Sequence, residues 1–176
     1  MPIEALEGFW RGLLQPILTP SHALALLGLG LLIGQQPADR RVVLLGSFAL
    51  ALVAGLGALT LAVEETPAAN ILLTGVAISG VLTAFAVHLP GRVLVPLAAL
   101  IGAALGLDSP PDVISLVAAY LMLVGVGLAA SVGVGLVSEG AARARIGWQR
   151  MGVRVLGSWA AASAMLALAV RFAASG

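Results

Sequence analysis

Hydrophobic positions in this chain run in near-continuous blocks, cut by short clusters of proline, glycine and charge. Such blocks predict embedded helices rather than strands, because a barrel strand needs alternation over about ten residues. Crossing ~30 Å of hydrocarbon at 1.5 Å per residue takes about 20 helical residues. Six blocks approach that length: 16–34, 41–63, 67–89, 92–107, 112–137 and 152–172. The connections QQPADR, EET, PG, DSPP and SEGAARARIGWQR separate them. Ahead of them, Ile3, Leu6, Phe9, Trp10, Leu13 and Leu14 recur at roughly helical spacing. That pattern predicts a short amphipathic helix lying in the interface, with Trp10 at headgroup depth. Glu4 and Glu7 precede Arg11, so the segment does not read as a secretory signal. The expected fold is all-α: a polytopic integral membrane bundle, with residues 1–14 as an interfacial segment and 15–176 as a single domain of six transmembrane helices.

Composition sharpens this reading. Of 176 residues, 60% are hydrophobic and 10% charged, and the mean hydropathy is +1.09. A soluble domain carries about 25% charged residues, so this chain cannot coat a water-facing surface. The absence of cysteine excludes disulfides and thiolate metal sites. No basic run suggests nucleic acid.

All nine basic residues are arginines. Seven of them (Arg40, Arg41, Arg92, Arg143, Arg145, Arg150 and Arg154) fall on alternate connections. The other side holds Arg11 and Arg171 together with Glu4, Glu7, Glu64, Glu65, Asp108 and Asp112. The positive-inside rule then places both termini outside the cytoplasm. The stretch Arg143, Arg145, Trp148 and Arg150 is positioned to meet the membrane surface or an acidic partner; ordinary positive-inside anchoring accounts for it more simply.

Small residues at four-residue spacing mark candidate packing faces: Gly30/Gly34, Gly102/Gly106, Gly127/Ser131/Gly135 and, more weakly, Gly157/Ala161. Such stripes let helix backbones approach closely where no hydrophobic force drives association.

Ionisable residues within membrane spans are costly and mark function by default. Here no Asp, Glu or Arg lies mid-span. Glu64 and Glu65 are adjacent and cannot form a facing pair. His88 sits before Leu89-Pro90 and reads as interfacial. His22 lies one turn inside the first span, with Gln15, Thr19 and Ser21 as its polar neighbours. No Ser/His/Asp set, HExxH or phosphate loop is present, so an enzyme is not expected.

The run Gln15-Pro16-Ile17-Leu18-Thr19-Pro20-Ser21-His22 followed by ALALLGLGLLIGQ resembles the opening of the HupE/UreJ family of bacterial six-helix membrane proteins, linked to nickel or cobalt uptake. That family opens its first helix with His-Pro-x-x-Gly-x-Asp-His. Pro16 and His22 match; Gln15 stands at the first His, Thr19 at the Gly and Ser21 at the Asp. AYLMLVGVGLAASVGVGL and RMGVRVLGSWAAASAMLAL resemble the fifth and sixth helices. The family's fourth helix ends in a His-Gly-rich stretch followed by Glu and Pro, where this chain reads ALIGAALGLDSPP, and Ala129, Ala130 and Ser131 stand where the fifth carries a His.

The resemblance implies a bacterial inner membrane protein whose cargo is nickel or cobalt; no cofactor or confident metal ligand set is evident from the residues themselves. As a divergent transporter of metal or a small solute, the chain would use Gln15, Ser21 and His22 to line an outer entrance. The alternative is a non-transporting accessory subunit, whose partner beyond the lipid bilayer is another membrane protein complex. One imidazole with a Gln oxygen and a Ser hydroxyl would hold nickel weakly.

Overall fold

The computed structural model describes residues 3–59, 67–87, 89–112 and 115–175. They form seven helices: α1 (Ile3–Leu18), α2 (Pro20–Gly34), α3 (Ala38–Leu59), α4 (Ala68–Ala84), α5 (Gly91–Leu107), α6 (Leu116–Ala142) and α7 (Gly147–Ser175). No strand occurs among the described residues.

Proline and caps set the boundaries. Pro20, which has no N–H, opens α2 after Thr19, and the axes of α1 and α2 differ by 67°. Pro90 precedes α5, and Pro110-Pro111 prevents α5 from continuing. At α4 the Val87 N–H reaches back to the Leu82 carbonyl at 3.0 Å. Ala86 takes φ 51 to allow this, a left-handed helix stop that usually selects glycine. The third block therefore ends its helix at Ala84 rather than running to residue 89. At the start of α7, Gln149 Oε1 accepts from the Arg145 and Ile146 N–H groups, a side-chain cap on an otherwise open helix end.

α2 is the central element and touches every other helix. Around it stand three close pairs: α1 with α6, α3 with α5, and α4 with α7. Glycine makes each pairing possible, because an added Cβ would strike a neighbouring backbone. Gly12 meets Met122, Gly102 meets Phe48, and Gly80 meets Gly157. The register of these contacts gives direction. Gly8 faces Ala118 and Gly12 faces Met122, so α1 and α6 run parallel. Gly80 faces Ala161 while Thr83 faces Gly157, so α4 and α7 are antiparallel. From α2 to α7 the chain reverses at every connection.

Three connections consequently meet at one end: Gln35–Pro37, Phe85–Pro90 and Arg143–Ile146. They are tied by Gln35 Nε2 donating to the Thr83 carbonyl at 3.1 Å and Arg154 Nε donating to the Ala84 carbonyl at 2.7 Å. Glu139 joins them by ion pairs to Arg41 at 3.3 Å and Arg143 at 3.1 Å. The seven arginines assigned to alternate connections all belong to this end.

Among the described residues three helices are long and apolar enough to cross a membrane: Ala38–Leu59, Leu116–Ala142 and the α7 stretch Gly147–Ala174. The bent pair α1–α2 passes as a fourth when taken as one broken span. α4 and α5 have 17 residues each, about 25 Å at the helical rise, short of ~30 Å of hydrocarbon. The bundle's exterior is apolar, with Leu50, Leu116 and Leu136 exposed. Its interior holds Phe48, Leu29, Leu52, Leu72, Ile101 and Leu105. An apolar surface over an apolar interior suits a lipid solvent.

α1 runs past residue 14 to Leu18 and packs along the first turns of α6 through Gly8 and Gly12, with Pro16 also buried. Leu6, Trp10 and Leu14 of the apolar pattern face outward.

Candidate functional site: a buried histidine–aspartate pair

At the end of the bundle opposite the arginines, His22 on the first turn of α2 meets Asp108, which caps α5. Nε2 of the imidazole lies 3.1 Å from Oδ2 of the carboxylate. His22 is 0% exposed, whereas the Asp108 side chain keeps 24% of its surface open. The pair is thus closed toward the protein and reachable from outside through the carboxylate.

Local structure fixes both partners. Pro20 directs the chain through the bend that turns His22 inward. Asp108 is held as the N–H of residue 108 bonds to the Ala104 carbonyl at 2.9 Å. The next residue, Ser109, is buried with its hydroxyl on the Leu105 carbonyl at 2.7 Å. Pro110-Pro111 then forces the chain out of the helix.

An ionised carboxylate only accepts hydrogen bonds, so Nε2 donates to Asp108. In the neutral ring Nδ1 is then an unprotonated lone pair, and it is buried without a partner. Gln15 Oε1 and Asn70 Oδ1 are likewise buried and unpartnered. The register places Asn70 near the same level: Gly28 of α2 rests on Val76 and Ser79 of α4, six residues below His22 and Asn70 respectively for Val76. With the ring neutral, the three atoms share one chemistry: each is an acceptor with no donor. A buried polar atom left so is expensive, and a cation relieves an acceptor of that cost.

A carboxylate bonded to one imidazole nitrogen, leaving the other without a protein partner, is the usual outer-shell arrangement of a metal-ligating histidine. The donors fit a borderline cation only loosely. Among the described residues no group of three His, Cys, Asp or Glu is placed to hold a metal ion. Imidazole and carbonyl-type oxygens would have to share the coordination with water.

Of the residues singled out in the sequence, His22 is the centre of this pair. Gln15 is half-buried on α1 and contributes an orphaned oxygen. Ser21 is half-buried and precedes His22 on the first turn of α2. Asp108, read from the sequence only as an outer-face charge, is the strong partner that His22 lacked; its spacing of 86 residues carried no local signal. Asn70 was also missed. His88, Glu64 and Glu65 lie outside the described residues.

The packing glycines divide. Gly30 and Gly34 sit against Val137 and Ser138 of α6, and Gly102 and Gly106 against Phe48 and Leu52 of α3. Gly127 makes only ordinary contact with Leu56, Ser131 is half-buried, and Gly135 faces open space. Gly157 packs on Thr83, and Ala161 on Gly80. At the other end Arg143, Arg145, Trp148 and Arg150 are all exposed, with Arg143 paired to Glu139.

No curated protein and no solved structure matches the chain. Residues 2–168, nearly its whole length, match the family model described as HupE / UreJ protein. With its helical, apolar architecture and its histidine at the head of α2, the chain belongs to the HupE/UreJ family of membrane proteins, a family linked to nickel and cobalt handling.

Proposed function

We propose that this protein admits a divalent cation of the nickel or cobalt type across a bacterial inner membrane, with His22 as the first ligand it meets and Asp108 as the group that orients that ligand. In this reading α2–α7 cross the membrane, six spans in all, and α1 extends α2 toward the outer side. The arginine end then faces the cytoplasm, and both termini lie outside it. The observation that carries the reading is the His22 ring itself: Nε2 against a carboxylate and Nδ1 buried without a partner. Gln15 and Asn70, with buried side-chain oxygens lacking a partner, are the further oxygen donors this reading would use, and the exposed edge of Asp108 draws the cation in by charge.

The scarcity of strong donors sets the binding regime. One imidazole and neutral oxygens bind nickel weakly and release it readily, which suits passage better than storage. The same scarcity favours a second reading, a non-transporting subunit of a larger membrane complex, since no three metal-ligating side chains gather among the described residues.

Accumulation of nickel and cobalt by cells expressing the chain separates the two. The transport reading expects metal-dependent accumulation that disappears with His22→Ala. Accumulation that is absent in the unaltered protein, with the chain recovered in a stable complex with another membrane protein, would establish the second reading instead.

A further inference from the structure

The arginine end holds a cavity of about 580 Å³ between α2, α6 and α7. Arg41, Arg150 and Arg154 line it and no acidic residue does. Glu139, the nearest carboxylate to Arg41, is shared between Arg41 and Arg143. A vestibule of this sign repels a divalent cation, so it is not the continuation of the His22 site. Two polar atoms in its wall are buried and unsatisfied: Nε of Arg41, a donor, and Oε1 of Gln36, an acceptor on a side chain only 5% exposed. The complement is a ligand that offers an anionic oxygen and a hydroxyl.

A second feature adjoins the first. α6 and α7 are consecutive helices, yet they barely touch. They splay over α2, which floors an apolar cleft of about 450 Å³ lined by Leu27, Leu31, Val137 and Leu156. Ala141, Ala144 and Val153 line both cavity and cleft, so the two adjoin. Trp148 stands on the cleft's wall at the arginine end. Leu27 lies seven residues up α2 from Gly34, so the cleft reaches about 10 Å toward the middle of the bundle.

We propose that cavity and cleft together bind one anionic glycerophospholipid. The phosphodiester sits among Arg41, Arg150 and Arg154, a headgroup hydroxyl donates to Gln36, and an acyl chain fills the cleft over Leu27 and Leu31. Basic pockets between membrane helices are suited to anionic headgroups. An apolar slot open to the bilayer has acyl chains as its nearest occupant. The bound lipid would wedge α6 and α7 at their splayed junction and hold the inner end of α2 in place.

The test uses the full chain in a non-ionic detergent, titrated with brominated phosphatidylglycerol or brominated phosphatidylcholine, with quenching of Trp148 as the readout. A Trp148→Phe protein supplies the background from the other tryptophans. Phosphatidylglycerol is expected to quench at about thirtyfold lower concentration, and Arg150→Gln with Arg154→Gln to erase that advantage, at about one surface charge's worth per arginine. Both side chains are exposed, and because Arg154 also bonds the Ala84 carbonyl, Arg150→Gln alone is compared with the double variant. Gly152 lines the cleft with open space where its Cβ would be, so Gly152→Leu fills the slot and is expected to abolish quenching. Equal quenching by the two lipids overturns the proposal. So does quenching that survives Gly152→Leu. Thermal stabilisation by inorganic phosphate alone, without lipid selectivity, would assign the cavity to a free anion and overturn it as well. If either variant fails to fold, the comparison of the two lipids on the unaltered protein decides alone.

Discussion

Asp108 holds the His22 imidazole at 3.1 Å across 86 residues of sequence, joining the first turn of α2 to the last of α5. The contact closes the end of the bundle opposite the arginines, and in the proposed function it couples a ligand to its orienting group. Replacing Asp108 by Asn keeps a similar shape and an acceptor oxygen but removes the charge. Loss of such an outer-shell carboxylate typically costs about 10–100-fold in metal affinity. Asp108→Asn is therefore expected to weaken nickel binding by that range, measured by calorimetry, with the melting temperature little changed. Unaltered binding would show that Asp108 serves only the fold.

The α1–α6 seam rests on backbone approach. A side chain at Gly12 would enter the Met122 backbone, whereas one at Gly135 meets nothing. Gly12→Leu is expected to destabilise the protein by at least about 1–3 kcal/mol, the usual cost of overpacking. Gly135→Leu should stay within about 0.5 kcal/mol, as an exposed change does. Thermal unfolding in detergent compares them, and equal melting temperatures would dissolve the seam.

Ala86 carries a left-handed φ of 51 at the end of α4. A Cβ in that conformation costs about 1–2 kcal/mol, part of which glycine returns as entropy of the unfolded chain. Ala86→Gly is expected to raise stability by up to about 1 kcal/mol. Ala86→Val, branched at the same φ, should lower the melting temperature. The reverse order in a thermal melt would mean the stop is not left-handed.

The two ends of the bundle should report different compartments. The chain has no cysteine, so single cysteines are unambiguous probes. Asp112 and Arg145 are both exposed, at the histidine end and the arginine end respectively. A membrane-impermeant maleimide added to intact cells lacking an outer barrier is expected to label Asp112→Cys and spare Arg145→Cys. Labelling of both, or of Arg145→Cys alone, contradicts the orientation.

Much of this architecture was legible from local pattern. Apolar blocks marked the helices, and the arginines identified three connections that meet at one end. Pro20 and His22 drew attention to the head of α2. Helix pairing was not legible. Spacing detects a stripe of small residues but not what faces it, so Gly30/Gly34 and Gly127/Ser131/Gly135 looked alike although only the first pair is pressed against a neighbour. Gly8 and Gly12 went unmarked because the apolar period of α1 pointed to lipid, whereas its small residues point to α6. Asp108 escaped because a carboxylate in a proline-rich connection looks solvated until the fold brings a histidine to it. α4 ends at Ala84, short of its block 67–89, since the left-handed stop at Ala86 ends the helix before the apolar run does, whereas α5 fills its block 92–107.

The most direct test of the account is X-ray absorption on the nickel-loaded protein. Nickel bound at the head of α2 predicts an imidazole signature in the unaltered protein that is lost in His22→Ala, while Arg150→Gln leaves it intact. A nickel spectrum that is the same with and without His22, or one showing only water and carboxylate oxygens, would contradict it.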